Sequence, residues 1–137
     1  MTPEIQAFAA GFPTTLAHAG ISLALLAAGG ALYAVLTPHR EIQEIRDGNA
    51  AAAVSYGGVL LALAIPLAVS LATSTSLVEL LLWGVAITLV QLLVLRVVDL
   101  VLKGLPQRVE EGEVSAAVLL TAAKLACALL LAAAVAG

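Results

Sequence analysis

Four long apolar stretches determine what this chain can fold into. They cover residues 16–36, 50–73, 77–102 and 114–136, and a helix needs about 20 residues to cross the hydrocarbon core of a bilayer. None of them alternates apolar and polar residues as a barrel strand does. Because a backbone in lipid must satisfy its own hydrogen bonds, the sequence predicts an all-α integral membrane protein with four transmembrane helices.

The scarcity of charge agrees with this prediction. Hydrophobic residues make up 62% of the 137 residues and charged residues 11%, whereas soluble domains carry about 25% charged residues. The lipid bilayer is therefore the first expected partner. The chain has no basic patch, so we expect no binding to nucleic acid. Its one cysteine excludes a disulfide within the chain.

The second half of the sequence resembles the first at an offset of 64 residues. At this offset residues 41–67 lie over residues 105–131 without a gap, Gln43 meets Gln107, and Gly48 meets Gly112. Such a match indicates that one structural unit occurs twice. We therefore predict a single membrane domain, residues 1–137, built from two parallel tandem helical hairpins at about 16–73 and 77–136.

Basic residues predict how the helices are oriented. Outside the predicted spans they lie in the first and third connections, and none occurs before residue 16 or in the turn at 73–76. Positive loops stay in the cytoplasm, so we expect both termini outside and Tyr33 near the inner interface. A positive segment is missing before residue 16, so residues 16–36 are expected to be a retained span and not a signal peptide. The basic residues of the two connections are Arg40, Arg46, Lys103 and Arg108.

Lys124 is the most conspicuous candidate for a functional residue. It lies about ten residues into the fourth span, where a charged lysine costs at least ~2.5 kcal/mol. Gln91 is expected at nearly the same depth in the third span and could meet Lys124 there. An ion or proton path, or contact with a ligand, would explain this lysine. Alternatively, the lysine reaches the headgroups or is paired inside an oligomer.

Arg96 and Asp99 form a second candidate pair in the third span. Their i, i+3 spacing lets them touch on one helix, which favours a structural ion pair or an interfacial anchor. As an alternative, Asp99 is the counter-ion of Lys124. In the 64-residue alignment, Arg96, Asp99 and Lys124 correspond to apolar residues of the first half. Any site within the bilayer is therefore predicted in the second half.

The remaining sequence offers no catalytic signature. It has no nucleophile–base pair, phosphate-binding loop or metal-ligand spacing, and His18 and His39 are predicted at opposite faces of the membrane. We therefore expect no enzyme activity, no cofactor and no metal. Residues 41–47 could form a short interfacial helix, and Asn49 could cap the span that follows it. The candidates for docking a cytoplasmic partner are Arg40, Glu44, Arg46 and Asn49.

Five short motifs are distinctive: Thr37-Pro38-His39, Glu44-Ile45, Gly48-Asn49, Trp83-Gly84 and Gln91-Leu92. Together they resemble an uncharacterised family of bacterial inner-membrane proteins, the domain-of-unknown-function 350 family. The resemblance implies four transmembrane helices from a duplicated two-helix unit, a place in the inner (cytoplasmic) membrane, and no established activity. The resemblance also implies an association of members with membrane-stress proteins of the phage-shock type, with peptide-ligase-like enzymes and with channel-like proteins. The sequence differs from the family pattern at Glu113, where the second unit is expected to have a residue equivalent to Asn49.

Two functional hypotheses follow from these features. The first is a non-enzymatic, homo-oligomeric scaffold that assists the response to membrane stress. Its cytoplasmic loops, residues 37–49 and 103–113, would dock a peripheral cytosolic membrane-stress protein. The alternative is a small ion channel or transporter whose polar path runs around Lys124, Gln91 and Asp99.

Overall fold

The computed structural model describes residues 2–38 and 40–137, and this part of the chain contains six helices and no strand. The four long helices have the length and apolar character to cross a membrane. The predicted all-α fold with four candidate spans is therefore confirmed, whereas the tandem repeat stays a prediction. In chain order the helices are α1 (Pro3–Leu36), α2 (Glu41–Arg46), α3 (Ala50–Thr73), α4 (Leu77–Val101), α5 (Leu105–Glu110) and α6 (Val114–Ala136).

Helix α1 begins 13 residues earlier than hydropathy alone predicts. The Thr2 hydroxyl accepts a hydrogen bond from the backbone N–H of Ile5 at 3.3 Å. Pro3 occupies the first turn, where its missing N–H costs nothing. These end signals start a helix of 34 residues, and every residue from 2 to 16 is exposed.

The two short helices end in the same way. Each is followed by a glycine with positive φ, Gly48 at 93° and Gly112 at 90°, a backbone conformation that residues with a Cβ rarely adopt. Beyond each glycine a backbone N–H returns to the helix, from Asn49 to the Glu44 carbonyl and from Glu113 to the Arg108 carbonyl, both at 2.9 Å. Helix α2 corresponds to the predicted interfacial helix, whereas α5 was not expected from the sequence.

Helix α3 lies at the centre of the bundle and contacts all five other helices. Its most extensive packing is with α6, which runs parallel to it. Ala51 and Ala52 pack with Ala116 and Ala117 near the start of both helices. Small residues permit this close approach. Helices α2 and α5 lie together at one end of the bundle, here called the α2/α5 end, and the turn at 74–76 lies at the opposite end, the turn end.

Candidate functional site

Three polar side chains from three helices meet inside the bundle. The Lys124 ammonium of α6 lies 2.8 Å from Oδ1 of Asp99 in α4. It also donates a hydrogen bond of 2.7 Å to the Tyr33 hydroxyl of α1. That hydroxyl donates in turn to Oδ2 of Asp99 at 2.6 Å. The three groups close a ring of hydrogen bonds, and Lys124 is only 1% exposed.

Arg96 completes what we call the ionic cluster (Tyr33, Arg96, Asp99 and Lys124). Its Nη1 atom lies 3.3 Å from Oδ2 of Asp99, one turn away on α4. Asp99 therefore holds two cations and a phenol at once. Both contacts expected for Asp99, with Arg96 and with Lys124, are present in the structure.

The direction of the helices explains how Lys124 reaches this position. Side chains on a helix tilt toward its N-terminus, and α6 begins at the α2/α5 end. The lysine stem therefore leans toward the ends of α1 and α4, where Tyr33 and Asp99 lie. Stem length and tilt together bring a residue from the middle of α6 close to the edge of the bundle.

Gln91 does not join the cluster. Helix α4 runs opposite to α6, so the Gln91 side chain tilts toward the turn end, away from the lysine stem. Its Nε2 donates to the Ala62 carbonyl of α3 at 2.9 Å, and no hydrogen bond links it to Lys124. Its Oε1 is buried and has no hydrogen-bond partner among the described residues.

Tyr33 is a site residue that the sequence did not single out. The sequence predicts a position near the inner interface for this amphipathic ring, which is a common position for tyrosine. In the structure it is fully buried, and the Lys124 ammonium lies 4.8 Å from the centre of its ring. The ring face thus adds a cation–π contact to the hydrogen bond. A tyrosine one turn before a helix end was the only available signal.

Glu41 is the second site residue that sequence reasoning missed. It is the first residue of α2 and is only 3% exposed. Burial raises the pKa of Glu41 to about 7, the positive charges of Lys124 and Arg96 offset part of this increase, and the negative charges of Asp99 and Glu44 add to it. A carboxyl group outside the long helices thus shares the electrostatic environment of the ionic cluster.

A cleft of about 400 Å³ opens at the α2/α5 end and reaches Asp99. Pro38 and Leu100 form part of its apolar wall, and Lys103 and Glu110 add charge. Because Asp99 lines this cleft, the ionic cluster approaches the outside of the protein at this end of the bundle.

The four docking candidates of the first loop differ in their surroundings. Arg40 and Arg46 are exposed and Glu44 is half-buried. The Asn49 amide instead donates to the carbonyls of Val109 and Glu110 in α5, both at 3.1 Å. Its oxygen accepts from the Ala52 N–H of α3 at 3.1 Å. Asn49 is therefore a link within the protein.

The start of α6 is built differently from the start of α3. Glu113 makes no capping hydrogen bond to α6 and instead binds the Arg108 guanidinium. The expected departure from the Asn49 pattern is thus visible in the contacts. His39, which belongs to one of the family motifs, lies outside the described residues.

Comparison with known proteins places these features in a family. Residues 7–135 match the family described as Domain of Unknown Function (DUF350). The chain is also similar to the UPF0719 inner membrane protein YjfL of Escherichia coli K12 and of Escherichia coli O157:H7. Each is 32% identical over 95 residues, which cover 69% of this chain and 72% of the relative. No solved structure matches the chain.

Proposed function

Because this chain belongs to the DUF350 family, an uncharacterised family of inner-membrane proteins, we propose a function from its buried charges: it passes protons across the inner membrane. The ionic cluster carries this proposal. Ionisable groups inside a membrane bundle are costly, and they commonly mark proton relays and ion pathways. Here Tyr33, Asp99 and Lys124 bring three such groups within hydrogen-bonding distance of one another.

The chemistry of the ionic cluster favours a proton over a metal cation. A bound cation needs several oxygen ligands, whereas Asp99 is the only carboxylate of the cluster and is already occupied by two cations. No group of three or more potential metal ligands occurs among the described residues. Hydrogen bonds of 2.6 and 2.7 Å around the Tyr33 hydroxyl instead suit the movement of a proton along a chain of donors and acceptors.

Further polar groups support a path toward the turn end. Ser22 of α1, Thr88 and Gln91 of α4 are buried on the turn-end side of the cluster. Ser22 Oγ and Gln91 Oε1 have no hydrogen-bond partner among the described residues. Both oxygens could therefore accept a hydrogen bond from a group that carries a proton along the path. These groups and the cleft at Asp99 together place polar groups along much of the length of the bundle, within one protomer.

Flux into liposomes tests the proposal. Protein would be reconstituted into vesicles that contain a pH-sensitive dye, and a pH gradient would be imposed. We expect the protein to dissipate the gradient faster than empty vesicles do. Lys124→Leu should slow dissipation by about tenfold or more, which corresponds to ~1.4 kcal/mol or more on the barrier. Leucine occupies the equivalent position, Leu60, in the first half.

A matched control removes a positive charge outside the ionic cluster. Arg46 is exposed on α2, and Arg46→Leu should leave the rate unchanged. If the wild-type protein dissipates the gradient no faster than empty vesicles, the transport proposal is wrong. If Lys124→Leu conducts like the wild type, Lys124 has no part in the path.

A scaffold that docks a cytosolic partner is the second candidate function. The observation in its favour is the link between α2 and α5, whose ends are joined through the Asn49 side chain. This link supports a fixed surface at the α2/α5 end. The basic residues of both connections favour a cytoplasmic position for that surface.

A pull-down separates the scaffold from transport. Replacing both loops, residues 37–49 and 103–113, should remove any peripheral cytosolic protein that the wild type retains. Unchanged associations would count against the scaffold. The ionic cluster is complete within one protomer, so assembly into a homo-oligomer stays a separate prediction. Light scattering of the detergent-solubilised protein would measure it.

A further inference from the structure

We propose that Glu41 is a proton-binding site that works as a latch: its protonated form holds α2 against the bundle, and its ionised form releases α2 and widens the cleft at Pro38 and Asp99 that leads to the ionic cluster. The inference rests on the proposed function and deepens it, because it names a group that adjusts proton access to the cluster from the α2/α5 end. Glu41 lies within the loop expected to dock a partner, residues 37–49, but it is not one of the individual site residues that the sequence predicts.

The position of Glu41 supports such a role. Helix α2 has only six residues, too few to be stable without packing. It is held by Ile45, which packs against the apolar cluster of α3 and α6, and by its contacts with α3. Glu41, at 3% exposure, buries a carboxyl group on the same inner side. The opposite side, with Ile42 and Gln43, is exposed.

Charges on α2, α4 and α6 influence the proton affinity of Glu41. Lys124 of α6 and Arg96 of α4 favour the ionised carboxylate, whereas Asp99 of α4 and Glu44 of α2 oppose it. Tyr33 of α1 and Tyr56 of α3 also interact electrostatically with Glu41. Burial is the largest influence and favours the neutral acid. These effects together raise the pKa of Glu41 from its ordinary value of 4.5 to about 7.

The sign of the coupling follows from this increase. The docked position of α2 binds the proton more tightly than an undocked, hydrated Glu41 would. Protonation therefore favours docking, and the advantage is lost as the pH rises from about 4.5 to about 7. Across this range the ratio of released to docked α2 should rise on the order of a hundredfold.

A spin label on α2 measures the release. Gln43→Cys, in a Cys127→Ser background that leaves no other cysteine, would carry a nitroxide on the exposed side of the helix. In vesicles, the mobile fraction of its spectrum should increase with pH and reach half of its rise near pH 7. With Glu41→Gln, which mimics the protonated acid, the label should stay immobile throughout.

Two further variants test the direction of the shift. Glu44→Gln is the matched control on the same helix: it should keep the transition and move it to lower pH, because it removes a charge that opposes ionisation of Glu41. Lys124→Leu should move the transition to higher pH, because Lys124 favours the ionised carboxylate.

The latch is refuted if the label shows no transition, or if the transition persists unchanged with Glu41→Gln. Flux in the same vesicles separates this result from the proposed function. If vesicles conduct protons without any transition of α2, only the latch is wrong. If α2 shows the transition and no protons pass, the latch stands and proton transport is wrong.

Discussion

Replacing Lys124 by leucine and Asp99 by valine, singly and together, tests whether the ionic cluster stabilises the fold as a unit. Leucine and valine are the residues that the first half of the sequence carries at the equivalent positions, Leu60 and Val35. The replacements are therefore apolar side chains already present at matching places in the same chain.

The expected magnitudes follow from what each change leaves behind. Lys124→Leu leaves the Asp99 carboxylate buried with Arg96 at 3.3 Å and with the Tyr33 hydroxyl. Asp99→Val leaves the Lys124 ammonium with the hydroxyl and ring of Tyr33 but without the carboxylate of the cluster. Removing one member of a buried pair costs about 3–5 kcal/mol. The double variant leaves only Arg96 charged, whose side chain is 27% exposed, so its cost should be lower than the sum by about 3 kcal/mol.

Unfolding in mixed micelles by titration with SDS, followed by circular dichroism, gives the four free energies of this cycle. The matched control is a second cycle of Lys124→Leu with Gln91→Leu. Gln91 binds the Ala62 carbonyl and not Lys124, so these two changes should add to within about 0.5 kcal/mol. Additivity to the same degree for Lys124 and Asp99 would refute the view that they act as a pair.

Three further predictions use the same titration. Asn49→Ala should lower the free energy of unfolding by about 1–2 kcal/mol, because it removes the cap of α3 and the link to α5, whereas Glu113→Ala should change it by less than about 0.5 kcal/mol. Gly58→Ala should cost about 1–3 kcal/mol, because the new Cβ would lie 2.6 Å from a threonine of α6; Gly57→Ala, with open space around it, should not destabilise the protein. The raised pKa of Glu41 should make stability fall by about 3 kcal/mol as the pH rises from about 4.5 to about 7, and Glu41→Gln should remove this contribution.

Hydropathy and end signals were sufficient for most of the fold. The predicted bounds of the second and fourth spans agree with α3 and α6, because Asn49 caps one helix and a glycine turn precedes each. The early start of α1 at Pro3 was missed because capping by Thr2, and not apolar character, fixes it. Helix α5 was missed because it has only six residues and lies among charges.

The ionic cluster could be predicted only in part. A charged residue in an apolar stretch is visible in a sequence, which is why Lys124 was found. Tyr33 is 91 residues away from it along the chain, and Glu41 appeared to be one more loop charge. Only tertiary packing brings them together. The predicted depth of Lys124 was obtained from its position along the helix. It did not include the tilt of the lysine stem toward the α2/α5 end.

The length of α1 has a consequence for how the protein lies in its membrane. Its 34 residues extend for about 51 Å, while the hydrocarbon core is about 30 Å thick. Even at a tilt of about 40°, the upper end of what transmembrane helices show, the helix would rise about 39 Å. Hydrophobic mismatch thus forces part of α1 out of the core. We expect the exposed N-terminal turns, which carry the stacked rings of Phe8 and Phe12, to be the part that adjusts to bilayers of different thickness.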